Sequence, residues 1–155
     1  MTAQMRESLL YKGEKVGMSA LPLEPYLQTN GTNNFEAPNS LLWRGYVGHW
    51  EIEGDKLLLI DFVGFSDGNS EFNLNDLFPG EPKVFANWFS GAVTIPRGEL
   101  LYYFHGGFGG IYKEDQILTF EKGMLVGEKR INNEERARRV IAEEKERAKD
   151  TSLPF

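Results

Sequence analysis

An α+β domain built mostly from antiparallel strands is the fold class this sequence predicts, arranged as a curved sheet, sandwich or partly closed barrel with a C-terminal helix. Three observations carry that expectation. Aromatic residues reach 13% and glycine supplies 17 of the 155 residues, a composition of strands and tight turns. Apolar and β-branched segments separated by short Gly turns recur from residue 43 to residue 130. After Asn132 the pattern becomes a charged helical one. A β-rich domain over residues 1–131 and a charged helix and tail over residues 132–155 follow.

The elements can be taken in chain order. Residues 7–16 read as a short strand running into a turn at Lys12-Gly13. Pro22 and Pro25 remove ladder donors from residues 18–27, so this stretch is expected as coil or one helical turn. Residues 29–40 form a polar loop. A hairpin spans residues 43–63, with Glu53-Gly54-Asp55 as its turn. Alternation sets Tyr46, Trp50 and Ile52 on one face and Trp43, Val47, His49 and Glu51 on the other. On the return strand it sets Leu57, Leu59 and Asp61 against Leu58, Ile60 and Phe62. Both faces of that strand are largely apolar, which predicts a central position. Residues 64–83 read as turn-rich, with one helical turn at 74–78. A meander follows, with strands at 84–89, 91–95, 99–105, 116–121 and 124–130 and a reverse turn at Pro96-Arg97-Gly98. Asn133 is the expected N-cap of the last helix. Its apolar stripe of Ala137, Val140, Ile141 and Ala148 is thin, enough for light docking or for pairing with a second copy.

Composition excludes several chemistries. Without cysteine there is no disulfide framework, thiol nucleophile, Cys-ligated zinc or Cys-held iron–sulfur cluster. Two histidines cannot supply a three-His metal site. A net charge of -6 disfavours non-specific nucleic-acid binding. The longest apolar run, Leu57-Leu58-Leu59-Ile60, is far too short to span a bilayer. Charges at Arg6 and Glu7 sit where a signal peptide needs apolar residues, so a cytoplasmic protein is expected.

Several stretches carry a resemblance. Trp43-Arg44-Gly45-Tyr46, Trp50-Glu51-Ile52, Leu77-Phe78-Pro79, the segment Phe85-Ala86-Asn87-Trp88-Phe89-Ser90-Gly91 and Ile95-Pro96-Arg97-Gly98 together resemble a group of small uncharacterised bacterial proteins. The likeness covers residues 9–130. It implies one compact domain of bacterial or phage origin and attaches no activity, ligand or catalytic residue.

Three constellations carry candidate chemistry. His49 and Glu51 share a strand face and, with His105 nearby, would offer two imidazoles and a carboxylate to a divalent metal. The alternative is that both histidines are hydrogen-bonded strand residues. Gly106-Gly107-Phe108-Gly109-Gly110 can approach an anion closely, but no Lys-Ser or Lys-Thr follows as in a P-loop. A bulged turn is the alternative there. The third set is Arg44, Tyr46, Trp50, Trp88, Arg97, Tyr103 and Phe108, where rings would stack on a flat ligand and arginines would hold its charge. The same rings would equally fill a core. No Gly-x-Ser-x-Gly elbow is present, and no local pattern supports a Ser-His-Asp triad. The sequence therefore points to a non-enzymatic binding or inhibitory module that recognises a protein partner or a small ligand, with no cofactor. The alternatives are a small metal-dependent enzyme using His49, Glu51 and His105, and a nucleotide pocket lined by aromatics.

Overall fold

Two strands, β1 (Glu7–Tyr11) and β2 (Glu14–Met18), form the first hairpin of the computed structural model, which describes residues 3–31, 35–66, 70–104 and 106–151. Pro25 sits in the first turn of α1 (Glu24–Thr29), where a missing N–H costs nothing. Next come β3 (Tyr46–Glu53), β4 (Lys56–Ser66), β5 (Ser70–Asn73), α2 (Leu74–Leu77) and β6 (Val84–Phe85). The chain continues through β7 (Gly91–Tyr102), β8 (Ile111–Glu121), β9 (Met124–Asn132) and α3 (Glu134–Thr151). The fold is α+β, with one curved, mostly antiparallel sheet in the order β2-β1-β3-β4-β9-β8-β7, and with β5 and β6 also paired to β4. Among the described residues the one parallel pairing sets β1 beside β3.

The sheet does not close into a ladder, but its two ends meet. The Ser19 N–H donates to the Thr94 carbonyl at 2.7 Å, and Arg97 reaches Glu14 at 2.7 Å. The interior is filled by α1 and by rings. Leu23 and Leu27 are fully buried. Tyr26 packs on Phe78 and Trp88, and the Trp88 indole donates to the Pro22 carbonyl at 2.7 Å.

Three local expectations are corrected. Pro96-Arg97-Gly98 is not a reverse turn. It lies inside β7, where the register shifts after Arg97. A proline is tolerated there because β7 ends the sheet. On β4, Leu57, Leu59 and Phe62 face the core and Asp61 faces out. A bulge between His49 and Trp50 leaves Ile60 unmatched and reverses the alternation expected at Asp61 and Phe62. Residues 64–73 carry strand as well as turn, since β4 runs to Ser66 and β5 returns along it.

One buried charge organises the first half of the chain. Glu7 has no exposed surface and points inward from β1. Its carboxylate accepts from Arg44 Nη2 at 2.8 Å, the Gly48 N–H at 2.7 Å and Trp50 Nε1 at 3.2 Å. Gly48 makes the room, because a Cβ there would sit 2.6 Å from Glu7 Oε1. Burial holds the Glu7 carboxyl above the ordinary carboxylate range, although Arg44, Gly48 and Trp50 pull it down. Burial also raises the Tyr46 hydroxyl, and Glu24, which accepts its hydrogen bond, raises it further.

α3 docks by its first turns. The Asn133 carbonyl accepts from the Ala137 N–H at 2.9 Å, which sets Asn133 at the start of the helix. Its side chain is turned away from the helix, donating to the Tyr112 carbonyl at 3.0 Å. The side-chain cap comes instead from Asn132, whose Oδ1 accepts from the Glu134 N–H at 2.9 Å. Asn133 and Ala137 are buried, Val140 and Ile141 half-buried, and residues 142–149 exposed.

Three outcomes are expected. Arg44→Met strands the buried Glu7 carboxylate and should cost about 3–5 kcal/mol, read as a lower thermal midpoint. A raised folded-state pKa means that the folded chain binds this proton more tightly than the unfolded one. The resulting stability is complete below the ordinary carboxylate value and is lost as pH rises through the folded value. The midpoint of the natural chain, measured relative to Glu7→Gln, should therefore fall across that window. A flat difference would contradict the burial argument. A chain ending at Asn132 should keep a cooperative transition, with a midpoint lower by about 2–4 °C for each kcal/mol lost. A molten or insoluble product would make α3 part of the core.

Candidate functional site

Three segments that never pair as strands are knitted together at one end of the sheet. The Gln4 N–H donates to the Gly107 carbonyl at 2.7 Å and the Met5 N–H to the Leu41 carbonyl at 2.9 Å. The Trp43 N–H donates to Gln4 Oε1 at 2.7 Å, and Arg44 Nη1 donates to the Met5 carbonyl at 2.8 Å. The link between β7 and β8 completes the end. Gly107, Gly109 and Gly110 all take positive φ there, at 49°, 88° and 147°. A Cβ on Gly110 would fall 2.6 Å from the Tyr102 carbonyl oxygen, so only glycine lets the chain turn back this tightly.

The end face is apolar. Met5, Leu41, Trp43, Tyr103 and Phe104 are each between 41% and 50% exposed. The half-buried Phe108 divides two hollows. One, of about 250 Å³, lies between Trp43, Leu21 and Phe108, with Gln4 and Arg44 at its side. The other, of about 190 Å³, is polar. Arg6, Ser19, Tyr112, Asp115 and Arg136 line it together with Phe108. Arg6 is fixed in place: Nε donates to Ser19 Oγ at 3.0 Å, Nη2 donates to the Phe108 carbonyl at 2.7 Å, and the guanidinium lies 5.1 Å from the centre of the Tyr112 ring.

A third hollow, of about 330 Å³, opens on the outer face of the sheet between Ser8, Leu10, Lys15, His49, Ile60 and Asp61. Ser8 Oγ lies 2.6 Å from His49 Nδ1, and Asp61 is the cross-strand neighbour of His49. Asp61 Oδ1 accepts from the Phe62 N–H at 2.8 Å. The row has the residue types of a triad. The serine, however, meets Nδ1, and the aspartate accepts from a backbone N–H rather than from the histidine, which is a different wiring.

No family model matches this chain, and neither a curated protein nor a solved structure matches it.

The residues singled out from the sequence are dispersed by the fold. Tyr46 and Trp50 face the core and have almost no exposed surface. Trp88 belongs to the interior ring cluster with Tyr26 and Phe78. Arg97 ties the seam, donating to Gln116 Oε1 at 3.0 Å and 2.8 Å and to Glu14 at 2.7 Å. Gln116 in turn donates to Glu128, which that bond holds below the usual carboxylate range. Arg44, Tyr103 and Phe108 do reach the apolar end, with Arg44 mostly spent on Glu7. In the metal proposal, His49 is bonded to Ser8, Glu51 is paired with Lys83 at 2.9 Å, and His105 lies outside the described residues. Among the described residues no group of three or more His, Asp or Glu side chains gathers to hold a metal ion. No helix among them is long and apolar enough to cross a membrane.

Sequence reasoning missed Arg6, Ser8 and Tyr112. Arg6 stands just before β1, and nothing local to it in sequence shows the bonds it makes to Ser19 and the Phe108 carbonyl.

Proposed function

We propose that the protein is a non-enzymatic binding module that takes a segment of a partner protein at its Phe108 end. The observation that supports this reading is the exposure of Met5, Leu41, Trp43, Tyr103 and Phe104 on the segments joined at this end, with Trp43 lining one hollow beside Phe108 and Phe104 lining the other. Large apolar side chains exposed singly need no explanation, but a contiguous set beside a hollow marks an interaction surface. Tryptophan, tyrosine and arginine are the residues that carry most binding energy at such surfaces. The ground beneath them is firm. Backbone hydrogen bonds hold residues 4 and 5 to the 41 and 107 positions, so little ordering is left to oppose binding.

The test is selection of peptides from a displayed random library on the natural chain, followed by affinity measurement on Trp43→Ala and Phe108→Ala. Thermal midpoints establish that both variants fold. Enriched peptides should carry a large apolar side chain and bind each variant at least about tenfold more weakly. Failure to enrich any peptide, or equal affinity for the natural chain and both variants, overturns the reading.

A further inference from the structure

We propose that the hollow holding Arg6 is a carboxylate subsite, so that the segment bound at the Phe108 end carries a carboxylate beside the apolar side chain seated against Trp43. This rests on the binding reading above and names the chemistry of its ligand.

Three arginines of this chain are half-buried: Arg6, Arg44 and Arg97. Arg44 has Glu7 and Arg97 has Glu14, at 2.8 Å and 2.7 Å. Arg6 pairs with no carboxylate among the described residues, in a chain where Asp and Glu outnumber Lys and Arg by 23 to 17. A guanidinium withdrawn from water is costly unless an anion or several acceptors repay it. Here Ser19 Oγ and the Phe108 carbonyl take Nε and Nη2, and neither carries charge. Those two bonds and the Tyr112 ring fix the plane of the group, while Nη1 is left to donate.

The second cation of the hollow, Arg136, stands 3.8 Å from Asp115, the acid that lines it. Two guanidinium groups against one carboxylate leave the hollow with a net positive charge. A preset guanidinium fork matches a carboxylate in geometry as well as in sign. The ring of Phe108 is a shared wall, with the apolar hollow bordering it and Arg6 bonded to its own backbone carbonyl. A ligand that covers this ring places an apolar group and an anionic group next to each other. A peptide supplies that pair in two ways, through a terminal carboxylate on an apolar residue or through an Asp or Glu beside one.

The experiment uses the full chain, labelled with ¹⁵N, and four probes: acetyl-phenylalanine, acetyl-Asp-Phe-amide, acetyl-phenylalanine amide and phenyl phosphate. The Trp43 indole and Arg6 Nε resonances report the two hollows separately. All three phenylalanine probes should shift the Trp43 signal, and one of the two acids should bind at least about tenfold more tightly than the neutral amide and shift the Arg6 signal. The tighter acid identifies the terminal or the side-chain source. Arg6→Gln should abolish the acid advantage while keeping the affinity for the amide, which also shows that the variant folds. Equal affinity for acids and amide, or an advantage that survives in Arg6→Gln, overturns the subsite and leaves the apolar reading intact. Phenyl phosphate binding more tightly than both acids, with dependence on Arg6, overturns the carboxylate assignment. Silence of the Trp43 signal with every probe overturns both.

Discussion

A carboxylate closed off from water sits where β1, β3 and the approach to β3 converge, and much of the molecule is arranged to satisfy it. Glu7 is met by a guanidinium, a backbone amide and an indole, each from the short stretch between Arg44 and Trp50. Such a group tolerates few alternatives. A slip of one residue in β1 would turn Glu7 outward and bring Arg6 or Ser8 inward, leaving Arg44 without its partner. The parallel register of β1 on β3 is therefore tied to a single ionic contact. The requirement extends outward as well. Arg44 also holds the Met5 carbonyl, so residues 4 and 5 lie along the apolar end rather than loose in solvent. The site at Phe108 thus inherits its order from the interior.

The curvature of the sheet has a second origin. Bulges on β4, β7 and β9 bend the strands, and each changes which side chains face in. The bent sheet leaves a gap that α1 fills with Leu23, Leu27 and Tyr26. Phe78 and Trp88 arrive from the loops around β6 and close over them, lying 7° from parallel. The aromatic richness of the chain is spent largely on this filling, while Trp43, Tyr103 and Phe104 at the Phe108 end and Phe72 on β5 remain exposed.

How far the sequence discloses this depends on the range of the interaction concerned. Strand alternation and Gly turns are local, and they show the β3–β4 hairpin, the β7–β8–β9 meander, the helical turn at α2 and the helix after Asn132. Bulges are nearly silent in sequence, since Ile60 and Asp61 look like any other pair on a strand. The displacement of Asp61 to the His49 side could not be read for that reason. The partners of the arginines lie 37 and 83 positions away, so nothing local to Arg44 or Arg97 shows that they are tied to Glu7 and Glu14. Arg6 carried no local signal at all. Its significance lies in what fails to meet it in three dimensions. Whether a ring lines a surface or fills the core was likewise not local, since Tyr103 ends exposed and Phe108 half-buried while Tyr46 and Trp50 are enclosed.

The seam between β2 and β7 bears on how the molecule behaves in company. Thr94 turns its carbonyl away from β8 toward β2, and two residues on Pro96 faces the same way. The position where an incoming strand would look for an N–H therefore has none. Beside it, Arg97 holds a charge on the rim, and Gly98, at φ 79°, breaks the extended line. A second molecule trying to extend the sheet from this side meets a missing donor, a charge and a kink within three residues. The margin of the curved sheet is left unjoined yet inhospitable to growth, so a sheet with a free margin can remain one sheet.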